Sequence, residues 1–382
     1  MITMTNDLDL TRLPTAQASG MSPHYYTDLE IFNREKQASR SCWIGIGRAD
    51  RVGPGPSYLA DVVADVPILI TRSHDGVLRG FANTCRHRGS KIMDEGSGPC
   101  RRLSCPFHGW TYDLDGQLLS VGHMDEAEDF SKADNGLTPI TVAERFGFLF
   151  VNILSDAGSI DDWLQDFGPI HAPWNLSSMV SVRRKTFEIR CNWKLFLEVF
   201  NEYYHIQLVH KKTFNDLYDV PDAPEPVGGQ FVTQFGTHGR EGSVASLDDG
   251  CVLPPLPGLS GRQLYGTRYS WIFPAMAFAA SLDCAWSLEA EPITPGLTRC
   301  TTTVMLPPES LKDLDAEASL QSVYKRMDDS MDEDIIALER QQAGLESPLA
   351  RAGRFSPTHE PNVHAFQRWW TDRLNARSET AA

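Results

Sequence analysis

Two short stretches of the sequence carry thiolates and imidazoles at a spacing suited to a metal cluster. Cys85 and His87 form the first arm, Cys105 and His108 form the second, and 17 residues separate the arms. A zinc finger usually has both cysteines in one arm and both histidines in the other, whereas each arm here is mixed. A two-iron cluster with two cysteines on one iron and two histidines on the other is satisfied by two such loops. An unusual zinc site, or buried cysteines beside surface histidines, is the alternative.

The residues that flank these candidate ligands favour tight loops. Gly89, Pro106 and Gly109 permit sharp turns. Trp110 and Tyr112 are placed to shield a cluster or to donate a hydrogen bond to its sulfurs. We therefore predict a cluster held by both arms, with these two aromatic side chains beside it.

A second pair of histidines, His205 and His210, lies in a stretch that predicts a helix. Residues 194–210 contain neither Gly nor Pro. On a regular helix, residues five apart point about 140° away from each other. The two side chains can bind one metal ion only if the helix bends or ends between them, and a purely structural pair is the alternative.

Both stretches resemble motifs of one enzyme family. The two arms read C-x-H and C-P-x-H-G-W-x-Y, which resembles the cluster motif of the Rieske-type non-haem iron oxygenases. The later stretch reads E-x-x-x-E-x-Y-H-x-x-x-x-H from Glu198 to His210, and it resembles the mononuclear iron motif of the same oxygenase (alpha) components. The resemblance implies a 2Fe-2S cluster on the four ligands of the two arms and a catalytic Fe(II) on His205 and His210.

The resemblance also implies an oxidoreductase of the EC 1.14 type, a mono- or dioxygenase that activates dioxygen. Two histidine ligands raise the potential of such a cluster, so it can accept electrons one at a time from a low-potential donor. The sequence contains no G-x-G-x-x-G fingerprint for a dinucleotide. NAD(P)H and flavin are therefore expected on a separate reductase, which delivers electrons directly or through a ferredoxin.

The third iron ligand is expected from a late helix over residues 311–342. Relatives tend to show Glu-Asp, a mostly apolar stretch and then Gln, and this phase fits Asp334 best, with Asp332 as the reserve candidate. Two histidines and one carboxylate leave positions open for dioxygen. Most of the other acidic residues of this helix are expected to form a solvated face.

Glu202 is expected to connect the two metal centres. It lies three residues before His205 and so on the same helical face. Many ring-hydroxylating relatives have Asp at this place, where it is thought to link the iron-bound histidine to a Rieske histidine of the neighbouring subunit. The resemblance therefore implies electron transfer through His108, Glu202 and His205 across a subunit boundary, in a homotrimer.

The substrate has two interpretations. Glu rather than Asp at position 202 resembles relatives that oxidise glycine betaine, carnitine and similar compounds, which favours hydroxylation or N-demethylation of a small quaternary ammonium substrate. Such a cation requires aromatic faces, for which the candidates are Phe200, Tyr203, Tyr204 and Trp271. The alternative is an aromatic or heteroaromatic acid, as in aromatic hydrocarbon catabolism, bound in a flat slot formed by the same residues. A conservative replacement at position 202 and a core role for the aromatic residues are the corresponding structural interpretations.

The sequence predicts an α+β protein with two domains. The first is an all-β Rieske domain, and the second is a larger catalytic domain with an antiparallel sheet flanked by helices. Short alternating runs separated by Gly, Pro and Asp predict the all-β domain over residues 39–153. Residues 1–38 predict short helices that pack on the catalytic domain, with Tyr25, Leu29 and Phe32 on one apolar face. Residues 154–382 predict the catalytic domain, with a loop-rich stretch at 213–262 and strands at 186–193, 265–273, 284–291 and 299–306.

Composition excludes several other classes. The 382 residues include 35 Lys and Arg and 50 Asp and Glu, a net charge of −15 that disfavours nucleic acid or an anionic membrane as partner. No signal-peptide pattern opens the chain, and the longest apolar stretch, residues 273–280, is too short to span a bilayer, so we expect a cytoplasmic protein. A Rieske electron carrier would need only residues 42–152, and a zinc-stabilised structural protein would not need the second motif.

Overall fold

The computed structural model describes residues 10–214, 222–238, 253–312 and 316–380. The chain forms two compact units. The small unit is Ser39–Ile160, and the large unit combines Met1–Ala38 with Asp161–Ala382.

The small unit is built from antiparallel strands. In chain order these are β1 Ile44–Arg48, β2 Ser57–Val63, β3 Val66–Arg72, β4 Leu78–Ala82, β5 Gly96–Pro99, β6 Leu103–Ser104, β7 Thr111–Tyr112, β8 Leu118–Ser120, β9 Pro139–Arg145 and β10 Phe148–Asn152. A seven-stranded sheet has the order β1-β10-β9-β4-β3-β2-β5, and a three-stranded sheet has the order β6-β7-β8. The all-β prediction for this part of the chain is confirmed.

Strand pairing positions both arms of the predicted cluster. The first arm follows β4 directly in the sequence. The second arm forms the loop between β6 and β7, because Ser104 pairs with Thr111 and Leu103 pairs with Tyr112. A small apolar core, which includes Phe81, Leu103 and Leu118, surrounds the cysteines of the two arms.

The small unit extends beyond the predicted boundary at residue 153. Asn152 donates its amide to the carbonyl of Cys42 at 3.0 Å and accepts the N–H of Ala157 at 3.2 Å. The indole of Trp43 donates to the carbonyl of Gly158 at 3.1 Å. These bonds tie residues 153–160 to the β-sheet, so the structure places the boundary after Ile160.

The large unit contains one antiparallel sheet and the helices that support the candidate iron ligands. The strands are β11 Val180–Ile189, β12 Phe231–Thr237, β13 Gly266–Ile272, β14 Met276–Ala280, β15 Ala285–Thr294 and β16 Leu297–Leu306, in the order β11-β16-β15-β14-β13-β12. The helices are α1 His24–Thr27, α2 Leu29–Ser39, α3 Ile160–Leu164, α4 Phe167–His171, α5 Trp193–Phe200, α6 Ile206–Val209, α7 Ala316–Leu345 and α8 Pro361–Thr380. The sheet flanked by helices confirms the predicted α+β fold.

Two strands of this sheet are not predicted from the sequence. The segment β12 lies inside the stretch predicted to be loop, where Pro, Gly and Asp dominate the surrounding composition. The segment β14 is buried along its whole length and therefore shows no alternation of apolar and polar residues. The four predicted strands overlap β11, β13, β15 and β16.

The N-terminal helices bury only part of the predicted apolar face. Tyr25 and Phe32 are buried, but the Leu29 side chain is 61% exposed. The prediction was wrong for Leu29 because Asp28 caps α2, accepting the N–H of Ile31 at 2.9 Å. Leu29 therefore stands in the first helical turn on the solvent side.

A buried polar network joins α2 and α5. Both carboxylate oxygens of Glu35 accept hydrogen bonds from Lys194 Nζ at 2.8 Å, and neither side chain is exposed by more than 2%. Glu198, one turn after Lys194, accepts from the Tyr26 hydroxyl at 3.1 Å and from the Gln367 amide at 2.9 Å. Burial raises the pKa of Glu198 to about 7.

The last two helices cover the sheet and supply its long-range contacts. The helix α7 begins at Ala316 and ends at Leu345, close to the end of the helix predicted over residues 311–342, and it packs on α5, α6 and β11. The helix α8 packs on β12. Within the described residues, no helix combines the length and the apolar composition needed to cross a bilayer.

Replacing Glu198 by Gln should flatten the pH dependence of stability. The pKa of about 7 in the folded chain lies above the ordinary value of 4.5, so the unfolded chain loses this proton first and folding weakens as pH rises from about 4.5 to 7. The Glu198→Gln variant should lose this slope, which is worth roughly 3 kcal/mol at most. Urea unfolding across this pH range measures the free energy of unfolding and its slope with pH. The control is Glu30→Gln, because Glu30 is exposed. An unchanged slope in Glu198→Gln would contradict the assignment.

Candidate active site and metal centres

The two cluster arms fold into matching loops. The N–H of Gly89 donates to the carbonyl of Cys85 at 2.9 Å, and the N–H of Gly109 donates to the carbonyl of Cys105 at 3.0 Å. Both glycines have φ of +72°, a left-handed conformation that glycine adopts without steric cost. Each glycine therefore closes a turn four residues after a candidate sulfur ligand.

These loops bring four metal donors together. The Nδ1 atoms of His87 and His108 lie 3.2 Å apart. Two nitrogen ligands on one tetrahedral metal, with bonds of about 2.05 Å, would be separated by about 3.3 Å. Cys85 and Cys105 are both buried, whereas the His108 side of the pair faces solvent. The donors therefore fit a cluster with its thiolates inside and its imidazoles at the surface.

The surroundings of the Cys105 thiol favour its thiolate form. Burial raises the pKa of Cys105, but hydrogen bonds from two backbone N–H groups and two side chains outweigh it, and the pKa is lowered. The Tyr112 hydroxyl lies 3.4 Å from Cys85 Sγ, and the Trp110 ring stacks on His87 at 4.9 Å and 10°. The structure thus places Trp110 and Tyr112 beside the cluster arms.

The predicted single helix over residues 194–210 is broken in two. The amide of Asn201 donates back to the Leu197 carbonyl at 2.8 Å, and Glu202 accepts the N–H groups of Tyr204 and His205 with its side chain, the latter at 3.2 Å. Side chains thus replace the backbone partners of a continuing helix. The helix α5 ends at Phe200, and α6 begins after His205.

The break brings three candidate iron ligands together. One donor atom from each of His205, His210 and Asp334 lies within 4.8 Å of the others. Asp334 Oδ1 lies 3.7 Å from His205 Nε2 and 3.1 Å from His210 Nε2, and it is buried without a hydrogen-bond partner. Asp332 is exposed and is not part of this cluster. An orphaned carboxylate oxygen facing two imidazole nitrogens fits a divalent metal ion.

Carboxylates also contact the Nδ1 atoms of both histidines, which are called the outer nitrogens because they face away from Asp334. Glu202 Oε1 lies 2.6 Å from His205 Nδ1, and Glu333 Oε2 lies 3.0 Å from His210 Nδ1. Glu333 is not part of the solvated face predicted for most other acids of this helix, because its carboxylate contacts His210 and Thr213. Burial lowers the pKa of His210, but Asp334 and Glu333 outweigh it and raise the pKa. A bound cation would take the place of that proton.

A cavity of about 190 Å³ lies beside these ligands. Its size suits a small molecule. The aromatic residues of its wall are Phe187, Phe200, Tyr203, Phe214, Tyr269 and Trp286, and its charged residues are Lys185, Glu188, Glu202, Arg326, Asp328, Asp332 and Asp334, in addition to the histidines.

Two of the four predicted substrate-binding residues lie outside this wall. Tyr204 is 60% exposed and stacks on His359 at 5.3 Å, because the helix break turns it away from its neighbour Tyr203. Trp271 is fully buried and stacks on Phe366 of α8 at 3.9 Å. The structure therefore brings Phe200 and Tyr203, but not Tyr204 or Trp271, to the cavity wall.

Comparison with known proteins identifies the family. A profile described as "Ring hydroxylating alpha subunit (catalytic domain)" matches residues 176–376, more than half of the chain. The chain belongs to the ring hydroxylating alpha subunit family. A profile described as "Rieske [2Fe-2S] domain" matches residues 42–131. The family resemblance is confirmed, and this oxygenase is an oxidoreductase with a Rieske 2Fe-2S domain and a catalytic non-haem iron domain.

Several relatives of this oxygenase carry functional names. The glycine betaine monooxygenase oxygenase subunit of Chromohalobacter salexigens is 28% identical over 94% of this chain and 86% of its own length. The chloroplastic choline monooxygenase of Beta vulgaris is 26% identical over 95% of this chain and 78% of its own. The solved structure of the quaternary ammonium Rieske monooxygenase CntA shares the fold, with a TM-score of 0.81, 24% identity and coverage of 96% of this chain and 98% of its own.

Loss of Asp334 should empty one metal site and leave the other intact. We expect about three irons and two sulfides per chain in the wild type, and about one iron fewer in His205→Ala and Asp334→Ala. The rhombic resonance signal of the reduced cluster should be unchanged in both variants.

The matched control is Asp332→Ala, on the same helix and two residues away. It should retain all of its iron. Iron loss in Asp332→Ala and full iron in Asp334→Ala would assign the third ligand to Asp332 instead. Iron and sulfide analysis of anaerobically purified protein measures both outcomes.

Proposed function

We propose that this chain is the oxygenase subunit of a monooxygenase that hydroxylates or N-demethylates a small quaternary ammonium compound of the betaine type. Relatives named for glycine betaine and choline, and a structural neighbour named for quaternary ammonium substrates, support the proposal. The first of these is named as an oxygenase subunit, so the proposed electron donor is a separate NAD(P)H-dependent reductase.

The observation that carries the proposal is the aromatic wall beside the proposed iron ligands. The Tyr269 ring meets Tyr203 at 5.8 Å and 89°, and it meets Phe200 at 5.5 Å and 70°. Trp286 adds a further edge-to-face contact with Tyr269 at 6.4 Å and 79°. A quaternary ammonium ion has no N–H to donate, so ring faces and nearby negative charge are the groups that recognise it.

The charges of the cavity also favour a cation. Among the described lining residues, five carboxylates face two cations, Lys185 and Arg326. Asp328 is compensated by Lys185 at 3.0 Å and by Arg183 at 2.6 Å, whereas Asp332 makes no ion pair among the described residues. An aromatic acid would bring a net negative charge to this wall, whereas a betaine is net neutral and brings a cationic group. The cavity therefore supports a quaternary ammonium substrate over the aromatic acid.

The residues of the site would have different roles in the oxidation. His205, His210 and Asp334 would hold iron, which supplies activation of dioxygen when it is bound. The aromatic wall would orient an N-methyl group toward the ligands, and its apolar rings would limit the water around that group. Two electrons from the reductase and two protons would reduce one oxygen atom to water while the other enters a C–H bond. A hydroxylated N-methyl group then leaves as formaldehyde.

Shortening the aromatic wall should weaken binding of a cationic substrate. With a compatible reductase, glycine betaine, carnitine or choline should drive NAD(P)H and oxygen consumption coupled to product, and benzoate-type acids should not. Trp286→Leu and Tyr269→Leu should each raise KM about 3- to 30-fold, the range expected for a lost cation–π contact.

The control for the aromatic wall is Tyr265→Leu, because Tyr265 is 39% exposed and does not line the cavity. Its KM should stay at the wild-type value. Coupled turnover of an aromatic acid, with no turnover of any quaternary ammonium compound, would overturn the proposed substrate class and favour the alternative.

We also propose that electrons cross between copies of this chain in a homotrimer. Four exposed arginines in or before the cluster arms, Arg86, Arg88, Arg101 and Arg102, make no ion pair among the described residues. Beside them, Phe107 is 57% exposed and packs on the ring of His108 at 3.8 Å. Such a rim offers a positively charged edge and an exposed apolar ring for contact with another copy.

The large unit has exposed apolar side chains around the proposed bridge Glu202. Tyr204 and Leu208, on either side of His205, are 60% and 71% exposed. Contact of this surface with the arginine rim of a neighbouring copy would place His108 near Glu202 and His205. CntA has been described as revealing inter-subunit electron transfer, which supports the same arrangement here.

Mixing two inactive variants tests transfer between copies. His108→Ala should disable the cluster and Asp334→Ala the mononuclear site, and co-expression should restore activity because one copy supplies each centre. Co-expression of His108→Ala with Cys85→Ala, which both lack the cluster, is the control and should stay inactive. Mixed oligomers that form, as shown by mass spectrometry, but remain inactive would rule out the inter-copy path.

A further inference from the structure

We propose that Glu333 and Thr213 position His210 for the mononuclear metal ion, a role that rests on the iron ligands proposed above. Neither residue binds the metal in this arrangement. Both act through the imidazole of His210, and together they determine which of its nitrogens is available as a ligand.

Consecutive carboxylates of α7 bracket the His210 ring. Glu333 Oε2 lies 3.0 Å from Nδ1, and Asp334 Oδ1 lies 3.1 Å from Nε2. Adjacent residues of a helix project about 100° apart, so both can face one ring that lies across the helix. An Nδ1–H that donates to Glu333 leaves the lone pair on Nε2, next to Asp334 and His205, where a metal ligand is required.

Thr213 holds the Glu333 carboxylate, which in turn orients His210. Its hydroxyl donates to the same Glu333 Oε2 at 2.6 Å, and its carbonyl accepts a hydrogen bond from Arg326, which is 5% exposed. The Glu333 side chain is 17% exposed. Glu333 is thus held from two sides in a partly dry environment, where a charge-assisted hydrogen bond is stronger than in water.

Other acidic residues of α7 have a different environment. Asp329 pairs with Lys325 and Glu339 pairs with Arg190, both at the surface and both without contact to a candidate ligand. These are ordinary exposed ion pairs. Glu333 alone among these acids contacts the outer nitrogen of a proposed ligand.

The two histidines are supported from different parts of the fold. His205 is held by Glu202, three residues earlier in the same segment, whereas His210 is held by Glu333 from α7. Because Glu202 is also the proposed bridge for electrons, its loss would affect two functions. Loss of Glu333 should affect metal retention and leave the cluster and its reduction unchanged.

Metal affinity is the direct test. The mononuclear site of the full-length protein is emptied with a chelator under anaerobic conditions, and the cluster is verified by its resonance signal. The protein is then equilibrated by dialysis against graded Co(II) or Fe(II), and bound metal per cluster is measured. Glu333→Ala should weaken affinity about 10- to 100-fold. Thr213→Val should weaken it less, and Glu333→Gln less than Glu333→Ala, because an amide oxygen still accepts the Nδ1–H.

Matched controls separate positioning from general damage. Glu339→Gln neutralises another α7 carboxylate and should bind metal as the wild type does. Melting temperatures of the metal-free variants should match that of the metal-free wild type, whereas the increase caused by metal should shrink in Glu333→Ala. If Glu333→Ala does not fold, Glu333→Gln and Thr213→Val decide the question.

The outcomes distinguish this inference from the proposed site itself. Wild-type affinity in Glu333→Ala, or in both milder variants, overturns the positioning role. Wild-type affinity in Asp334→Ala overturns the metal site on which it rests. Weak metal binding in Glu333→Ala together with no turnover of quaternary ammonium compounds in the wild type supports the positioning role and rejects only the substrate.

Discussion

The end of α5 at Phe200 is the constraint on which the mononuclear centre depends. In a continuous helix, His205 and His210 would point about 140° apart and could not share a metal ion. Asn201 and Glu202 supply side-chain hydrogen bonds that take the place of helical backbone bonds, so the chain turns before His205. The same Glu202 carboxylate that stops the helix then holds His205 Nδ1. The Glu202 carboxylate thus both ends the helix and orients His205.

The helix α7 converts this local break into a site. It contributes Asp334 to the ligand cluster and Glu333 to the outer nitrogen of His210. One and a half turns earlier, Asp328 binds Arg183 of β11, which fixes the helix against the sheet that carries the aromatic wall. The distance from Asp334 to the aromatic residues of the sheet therefore depends on how α7 packs. The buried Lys194 and Glu35 pair holds the start of α5 in the same unit.

The parts of the site that are local in sequence could be predicted from sequence, and the parts that depend on sheet register could not. The cluster arms close through turns of five residues, so their ligand types and glycines are visible in the chain itself. Tyr269 and Trp271 are two residues apart on β13 and therefore lie on the same face of the sheet. Tyr269 lines the cavity, whereas Trp271 is covered by Phe366 of α8 and belongs to the core. The sequence of β13 alone does not distinguish these two positions. Glu333 was missed because its partners, His210 and Thr213, lie more than a hundred positions away.

Negative charge links metal binding to the choice of substrate. Asp334, Glu202 and Glu333 bring three carboxylates to two histidines, an arrangement that is stable only when a proton or a divalent cation compensates it. A divalent ion with neutral imidazoles offsets two of these three charges, and the Asp332 carboxylate at the cavity wall adds another. With a divalent ion bound, carboxylate charge would remain beside the aromatic rings, where Lys185 and Arg326 are the cations of the wall. The ammonium group of a betaine or of choline would be attracted by these carboxylates, whereas an aromatic acid would bring a net negative charge without a cationic group. The proposed metal requirement and the proposed preference for quaternary ammonium compounds thus rest on the same carboxylates.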